Sequence, residues 1–267
     1  MNENRPESVR PKKSWGQHFL IDHNIQRKIL DLAEIRTGEH VIEIGPGRGI
    51  LTKGLLDRGA NVTAIEIDPY LIDQVRKEIP DPRLDLVLGD ALRYPYEEIS
   101  GRYKVVANLP YYISTPLLFR FFQERRRIDR MVLMLQKEVA ERLAAGIGQK
   151  SYGALSVILQ FHADIRIAFT VSPACFRPRP QVGSAVISLK FLSAPRVPVK
   201  DEALFLKVVK GAFSHRRKSL TNALTDAGLP RDRVESALSR MGLERMRRGE
   251  TLALQEFALL SDLLFDS

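Results

Sequence analysis

Apolar positions in the first part of the chain fall into short continuous runs, and in the last part into helical spacing. Val41 to Ile44, Val62 to Ile67, Leu84 to Leu88, Lys104 to Ala107 and Met131 to Leu135 have the length and β-branched content of buried strands. Stretches of helical periodicity separate them. Asp22 to Ala33 sets Ile25, Ile29, Leu30 and Ala33 on one helix face, with Asp22 placed to cap it. Tyr152 to His162 predicts a further helix, and Ala185 to Phe191, after Pro178-Arg179-Pro180, predicts a late strand joining the sheet edge. This alternation predicts an α/β fold, a mostly parallel sheet with helices on both faces.

From Asp201 onward the pattern is purely helical, over Ala203 to Ser214, Arg216 to Ala227, Arg231 to Met241 and Leu252 to Leu264, with breaks at Gly228-Leu229-Pro230 and near Gly249. Ser193 to Val199 carries Pro195 and Pro198 and reads as a linker. The expected division is 1–192, a linker at 193–200 and a small all-helical domain at 201–267.

Bulk composition narrows the partners. A formal net charge of +9 and a pI of about 9.7 favour polyanions, nucleic acid before anionic membrane, although excess charge also serves solubility. Cys175 is the lone cysteine, and the five histidines show no metal-ligand spacing, so a disulfide, a cysteine-based zinc site and a metal centre are not expected. Met1 to Lys13 has no apolar core for a signal peptide, and nowhere do some twenty apolar residues run together. A soluble, cytoplasmic protein is the expectation.

Candidate chemistry gathers where the predicted strands end. Glu43-Ile44-Gly45-Pro46-Gly47-Arg48-Gly49 closes the first strand, and its alternate glycines let backbone approach a ligand. The spacing is neither the dinucleotide fingerprint nor a phosphate loop. Glu66, ending the second strand, is either a surface acid or an acceptor for both ribose hydroxyls of an adenosine-containing cofactor. Asp90, in Gly89-Asp90-Ala91 after the third, reads as an acceptor for an adenine amino group or as a helix cap. Asn108-Leu109-Pro110-Tyr111 follows Val105-Val106-Ala107 and offers a side-chain carbonyl, a proline without an N–H, and a flat ring. That set could grip a planar amine. All four features fall on one sheet edge, where active sites of parallel α/β sheets lie.

With these residues in hand, the chain resembles the S-adenosylmethionine-dependent methyltransferases, and more closely the ribosomal RNA adenine dimethyltransferases that modify small-subunit RNA. The resemblance also rests on Lys13-Ser14-Trp15-Gly16-Gln17-His18-Phe19-Leu20, on Phe176-Arg177-Pro178-Arg179-Pro180 with Val182 and Ser184, and on Phe213 to Leu224. It implies a Rossmann-like methyltransferase sheet with a small helical C-terminal domain, and a segment 1–21 that contributes to the cofactor site. It further implies that His18 and Leu20 line that site, that Gly45 and Gly47 back the methionine portion, and that Glu66 holds the ribose and Asp90 the adenine. Asn108 then lies between cofactor and target. Trp15 stands where Leu is more usual, and His18 where Asn is a common alternative.

The implied reaction is N6,N6-dimethylation of adenines, two adjacent ones, in a loop of small-subunit ribosomal RNA during ribosome assembly, by a monomer. The N6 amine is a poor nucleophile because its lone pair is delocalised into the ring. If the Asn108 side-chain oxygen and the Leu109 carbonyl accept its two N–H bonds, with Pro110 shaping the segment, the lone pair is freed. The base must leave its stack, and Tyr111 and Phe176 are the stacking candidates, Phe176 reading otherwise as core. Phosphate contact falls to His215-Arg216-Arg217-Lys218 and Arg245-Met246-Arg247-Arg248, with Arg125-Arg126-Arg127 as a third cluster. The alternatives are a large-subunit RNA adenine methyltransferase of the antibiotic-resistance type, which shares the cofactor and Asn-Leu/Ile-Pro-Tyr motifs, and a non-catalytic nucleic-acid-binding or transcription factor on the same fold. A nicotinamide-dependent oxidoreductase fits the glycine spacing poorly.

Overall fold

A computed structural model describes residues 17–215, 217–244 and 246–266. In chain order the elements are β1 (Phe19–Leu20), α1 (His23–Ala33), β2 (His40–Ile44), α2 (Ile50–Asp57), β3 (Asn61–Glu66), α3 (Pro69–Glu78), β4 (Leu84–Leu88) and β5 (Tyr103–Asn108). They continue with α4 (Ser114–Gln123), β6 (Ile128–Gln136), α5 (Lys137–Ala144), α6 (Ala154–His162), β7 (Ala163–Val171), β8 (Phe176–Arg177) and β9 (Ser184–Phe191). Helices α7 (Glu202–Ala212), α8 (Leu220–Asp226), α9 (Arg231–Arg240) and α10 (Leu254–Phe265) close the chain.

Seven strands form one mixed sheet in the order β4-β3-β2-β5-β6-β9-β7, and β1 pairs with β8 in a separate two-stranded ladder. Strands β4, β3, β2, β5 and β6 run parallel to one another. From β2 the chain winds outward through β3 and β4, then returns to place β5 on the other side of β2. The strand order therefore reverses between β2 and β5, and the crevice beyond their carboxyl ends is where such sheets bind ligands. Strand β2 is buried along Val41–Ile44 and β5 along Tyr103–Ala107, which explains their continuous apolar runs.

The chain forms two compact units. The first runs to Lys137 and takes in Ala168–Ser188; the second comprises Glu138–Ile167 and Leu189–Ser267, so 138–167 belongs with the C-terminal helices. In the first, Ile29 and Leu30 of α1 and Leu51 and Leu55 of α2 pack into one core with Val41, Val62, Val106 and Val132 of the sheet. Asp22 caps α1 by accepting from the N–H groups of Asn24 (2.8 Å) and Ile25 (3.1 Å). In the second, Phe161 of α6 stacks on Phe205 of α7 at 4.2 Å, and the Tyr152 hydroxyl donates to the Leu252 carbonyl at 3.0 Å. No helix among the described residues is long and apolar enough to cross a membrane.

Two departures from the predicted elements have physical causes. Strand β7 follows α6 directly and is open to solvent on much of its length, with only Ala163 and Val171 buried, so no apolar run announces it. The helix expected over Arg216–Ala227 begins at Leu220, because Ser219 caps it through the Asn222 N–H; Arg216 lies outside the described residues.

A glycine pair in the second unit separates steric from conformational cost. A Cβ on Gly249 would stand 2.6 Å from the Ala212 carbonyl oxygen, backbone that cannot swing away, whereas Gly242 has open space and a φ of +67°. Gly249→Ala should destabilise by about 2 kcal/mol or more, and Gly242→Ala by about 1 kcal/mol. Urea unfolding followed by circular dichroism checks the order; a Gly249→Ala protein as stable as the parent would refute the packing.

Candidate active site

Three chain segments leave the sheet at its carboxyl edge, and the ladder of the neighbouring strand holds each as it leaves. The Gly45 N–H donates to the Ile65 carbonyl (2.9 Å), the Gly89 N–H to Glu66 (2.9 Å) and the Leu109 N–H to Met134 (3.1 Å). These bonds fix the first residue of every functional loop. Gly45, Gly47 and Gly49 take positive φ of 64°, 58° and 75°, so the β2–α2 loop is one that residues with a Cβ adopt only at a cost.

Two adjoining hollows line this edge. The first is walled by Gln17, His18, Phe19, Leu20, Glu43, the loop 45–48, Glu66 and the segment 108–112; the second by Ile44, Glu66, Ile67, Gly89, Asp90, Ala91, Pro110, Tyr112 and Ile113. Gly45, Glu66, Ile67, Pro110 and Tyr112 belong to both. The first hollow thus gathers His18, Leu20, Gly45, Gly47, Glu66 and Asn108, with Leu109, Pro110 and Tyr111, while Asp90 faces the second. The arrangement suits an elongated ligand with its centre at Glu66.

Glu66 is 6% exposed, and its Oε1 accepts from the N–H groups of Ile67 (2.9 Å) and Asp68 (3.0 Å). Burial raises its pKa, and the Asp68, Gly47 and Ile67 N–H groups pull it back. A buried carboxylate that lines a hollow, with turn N–H groups gathered on Oε1, has acceptor capacity left for a ligand hydroxyl. Asp90 accepts from the Leu92 N–H at 2.9 Å and so closes the turn at 91–93; no helix begins there, so the helix cap offered as an alternative is not what it forms, and the same residue lines the second hollow. Ile67 and Ile113 supply apolar faces beside it. Carboxyls at the middle and far end with apolar walls between them match the ribose hydroxyls, amino edge and flat ring of an adenosine.

Asn108 sits on the last residue of β5, with its amide donating from Nδ2 to the His18 carbonyl at 3.0 Å. That bond makes Oδ1 the acceptor end of the side chain. His18 is itself held, its Nδ1–H donating to the Pro178 carbonyl at 2.8 Å. The Tyr111 ring lies 5.7 Å from the His18 ring, and its hydroxyl shares a hydrogen bond of 2.9 Å with Ser184 Oγ. Burial raises the Tyr111 pKa, so the phenol stays neutral.

Phe176, expected to face a base, is placed elsewhere. It is 0% exposed, opposite Leu20 in the β1–β8 ladder and part of the core of the first unit, so its ring presents no open face. Tyr112 does present one. It is 55% exposed and lines both hollows, yet nothing in the sequence distinguished it from its neighbour Tyr111. Sequence reasoning also passed over Glu43, a core acid by pattern, and Ser184 as the partner of Tyr111. Lys13 to Gly16, including Trp15, lie outside the described residues.

The basic clusters are partly committed to internal bonds. Lys218 pairs with Asp226 at 2.6 Å, and Arg247 pairs with Glu256 at 2.9 Å while donating to the Thr251 carbonyl. Arg127 donates to the carbonyls of Glu97 and Ile99, and Arg125 lies over the Phe122 ring. Arg217 is exposed, and Arg248 is half exposed with Glu250 at 3.7 Å; Arg216 and Arg245 are outside the described residues.

The comparisons with known proteins agree with one another. A family model described as ribosomal RNA adenine dimethylase matches residues 9–264. The ribosomal RNA small subunit methyltransferase A of Geobacter metallireducens is 46% identical over 265 residues, covering 96% of each chain. That of Clostridium perfringens is 44% identical, covering 96% of this chain and 91% of its own. Among solved structures, a dimethyladenosine transferase from Plasmodium falciparum superposes with a TM-score of 0.79 at 26% identity over 91% of this chain and 96% of its own. A 23S rRNA methyltransferase, ErmE, gives 0.73 at 26% identity over 92% and 99%.

Glu43 makes the site sensitive to alkali. It is 1% exposed, receives the Thr52 hydroxyl at 2.6 Å, and burial pushes its pKa up to about 8 from an ordinary 4.5. Between those two values the folded chain holds a proton that the unfolded chain has released, so stability falls as pH rises through the window and levels off above it. Glu43→Gln, which mimics the protonated acid, should flatten that fall. Melting temperatures of both proteins from pH 5 to about 9 test it; parallel curves would show that Glu43 does not carry the effect.

Proposed function

Because the chain belongs to the ribosomal RNA adenine dimethylase family, we propose that it transfers methyl groups from S-adenosylmethionine to the N6 amines of adenines in small-subunit ribosomal RNA, two to each base. The relatives at 44–46% identity over nearly the whole chain are named for the small subunit. The single observation that carries the reading at the level of residues is the fixed Asn108 amide, in the wall of the first hollow together with Glu66.

His18, Leu20, Gly45 and Gly47 would hold the methionine end of the cofactor, Glu66 its ribose and Asp90 its adenine. When bound, the cofactor supplies an electrophilic methyl on a positively charged sulfur. Asn108 Oδ1 and the Leu109 carbonyl accept the two N–H bonds of the target amine and draw its lone pair out of conjugation with the ring. Pro110, with no N–H, adds no donor to compete for these carbonyls. As methyl is transferred the amine nitrogen becomes cationic, and two fixed carbonyl dipoles stabilise that charge better than they stabilise the neutral amine. The surplus proton passes to water. In a second round one N–H remains, and a single carbonyl is enough to orient it. Tyr111, braced by Ser184, supplies a ring face for the base once it has left its stack.

RNA phosphates are met by the helical C-terminal domain, 201–267. Lys218 and Arg247 have internal carboxylate partners, so Arg217 and Arg248 are the better candidates, with Arg216 beside them in sequence. No membrane and no metal enter the scheme, and the enzyme acts as a cytoplasmic monomer on the assembling small-subunit particle.

Asn108→Ala should still bind S-adenosylhomocysteine while methyl transfer drops by about a hundredfold or more, the usual effect of deleting one fixed dipole at a developing charge. Unmodified small subunits, naked small-subunit RNA and large-subunit RNA, incubated with S-adenosylmethionine and mapped by mass spectrometry, identify the acceptor; methylation confined to large-subunit RNA would favour the resistance-type reading instead. Normal turnover by Asn108→Ala would remove the carbonyl cradle. Arg217→Ala combined with Arg248→Ala should lower the slope of log affinity against log salt by about one to two, and an unchanged slope would exclude both residues from the interface.

A further inference from the structure

Arg48 stands in the middle of the glycine loop and takes no part in the scheme above. It is exposed and lines the first hollow, and among the described lining residues it is the only arginine or lysine. Its guanidinium lies over the Phe19 ring, 5.2 Å from the centroid. That ring is a built platform. Phe19 is 7% exposed, tied into the β1–β8 ladder, and sits so close to Gly47 that a Cβ there would stand 2.9 Å from it. A guanidinium stacked on a ring keeps its edge N–H groups free to donate, a geometry suited to a carboxylate.

Such a group is what the first hollow otherwise lacks. Glu43 and Glu66 are the acids that line it, and Arg48 is the one arginine or lysine among the described lining residues placed to attract a ligand carboxylate. If the nucleoside occupies the hollow of Asp90 and Ile67, the amino-acid end occupies the other. We propose that Arg48 receives the carboxylate of the donor's amino-acid end and sets the preference of this enzyme for S-adenosylmethionine over its decarboxylated form. The inference deepens the proposed function and rests on it.

Isothermal titration of the full chain with S-adenosylmethionine and with decarboxylated S-adenosylmethionine tests the assignment without reference to turnover. The parent protein should favour the intact ligand by about tenfold or more, the worth of one charge-assisted pair. Arg48→Gln should weaken S-adenosylmethionine by about tenfold and leave the decarboxylated ligand within about twofold; Arg48→Lys, which keeps the charge, should recover part of the loss. An equal loss for both ligands would make Arg48 a support of the loop and overturn the proposal, as would no loss for either. The parent's own preference does not depend on a variant folding, and a parent that binds both ligands equally also overturns it. A parent that binds neither overturns the proposed function together with this inference, so the two failures are distinguishable.

Discussion

One hydrogen bond decides which way the active site faces. A carboxamide is nearly symmetric in shape, and turned about its last bond Asn108 would present two N–H donors where the proposed cradle needs an acceptor. Donation from Nδ2 to the His18 carbonyl, at 3.0 Å, removes that freedom. A carbonyl only accepts, so the partner dictates the orientation. The bond exists because His18 is placed for it by the β1–β8 ladder and by its ring bond to Pro178 at 2.8 Å. Undocking the short N-terminal strand would free the Asn108 amide and withdraw His18 and Leu20 from the hollow in the same step.

The same edge carries groups that oppose folding. Glu43 and Glu66 are both buried in the first unit, and burial raises both pKa values. Neither makes sense as a stabilising element, because a carboxyl taken from water is favourable only when its partners replace the lost hydration. Thr52 does this for Glu43, and the turn N–H groups of Ile67 and Asp68 do it for Glu66. The parallel strands with their continuous apolar burial offset these costs, and so the polar groups collect at the strand ends rather than within the sheet.

What could be read in advance follows from this division of labour. Strands β2, β3, β5 and β6 are largely buried, and burial writes an apolar run into the sequence; β4, at one edge, keeps its alternate leucines though it is only partly covered, while β7 lies open at the other edge and β1 and β8 are two residues long, so these three leave no such trace. Gly45, Glu66, Asp90 and Asn108 were legible because each lies at or just beyond the end of an apolar run, which places all of them on one edge before any coordinates exist. The contacts that orient them were not. His18 to Asn108 spans ninety residues and Tyr111 to Ser184 seventy-three, and no local pattern encodes a bond across that distance. Phe176 shows the opposite error, for a phenylalanine beside prolines carries the same signature whether it awaits a base or fills a core, and here it fills the core.

Charge is the least legible property of all. A net charge of +9 points to a polyanion, yet the runs that advertise it are free only in part. Arg247 is bound to Glu256 and to the Thr251 carbonyl, Lys218 to Asp226, and Arg127 closes the carbonyls of Glu97 and Ile99. An arginine that already donates to carbonyls or a carboxylate of its own chain must give up those bonds to turn to a phosphate, which lowers the net gain of that contact. A basic run is thus a list of candidates from which internal bonding has already withdrawn several. The electrostatic footprint for RNA must be drawn from the remainder, and the long-range field of the excess charge, which needs no particular residue, brings the RNA to it.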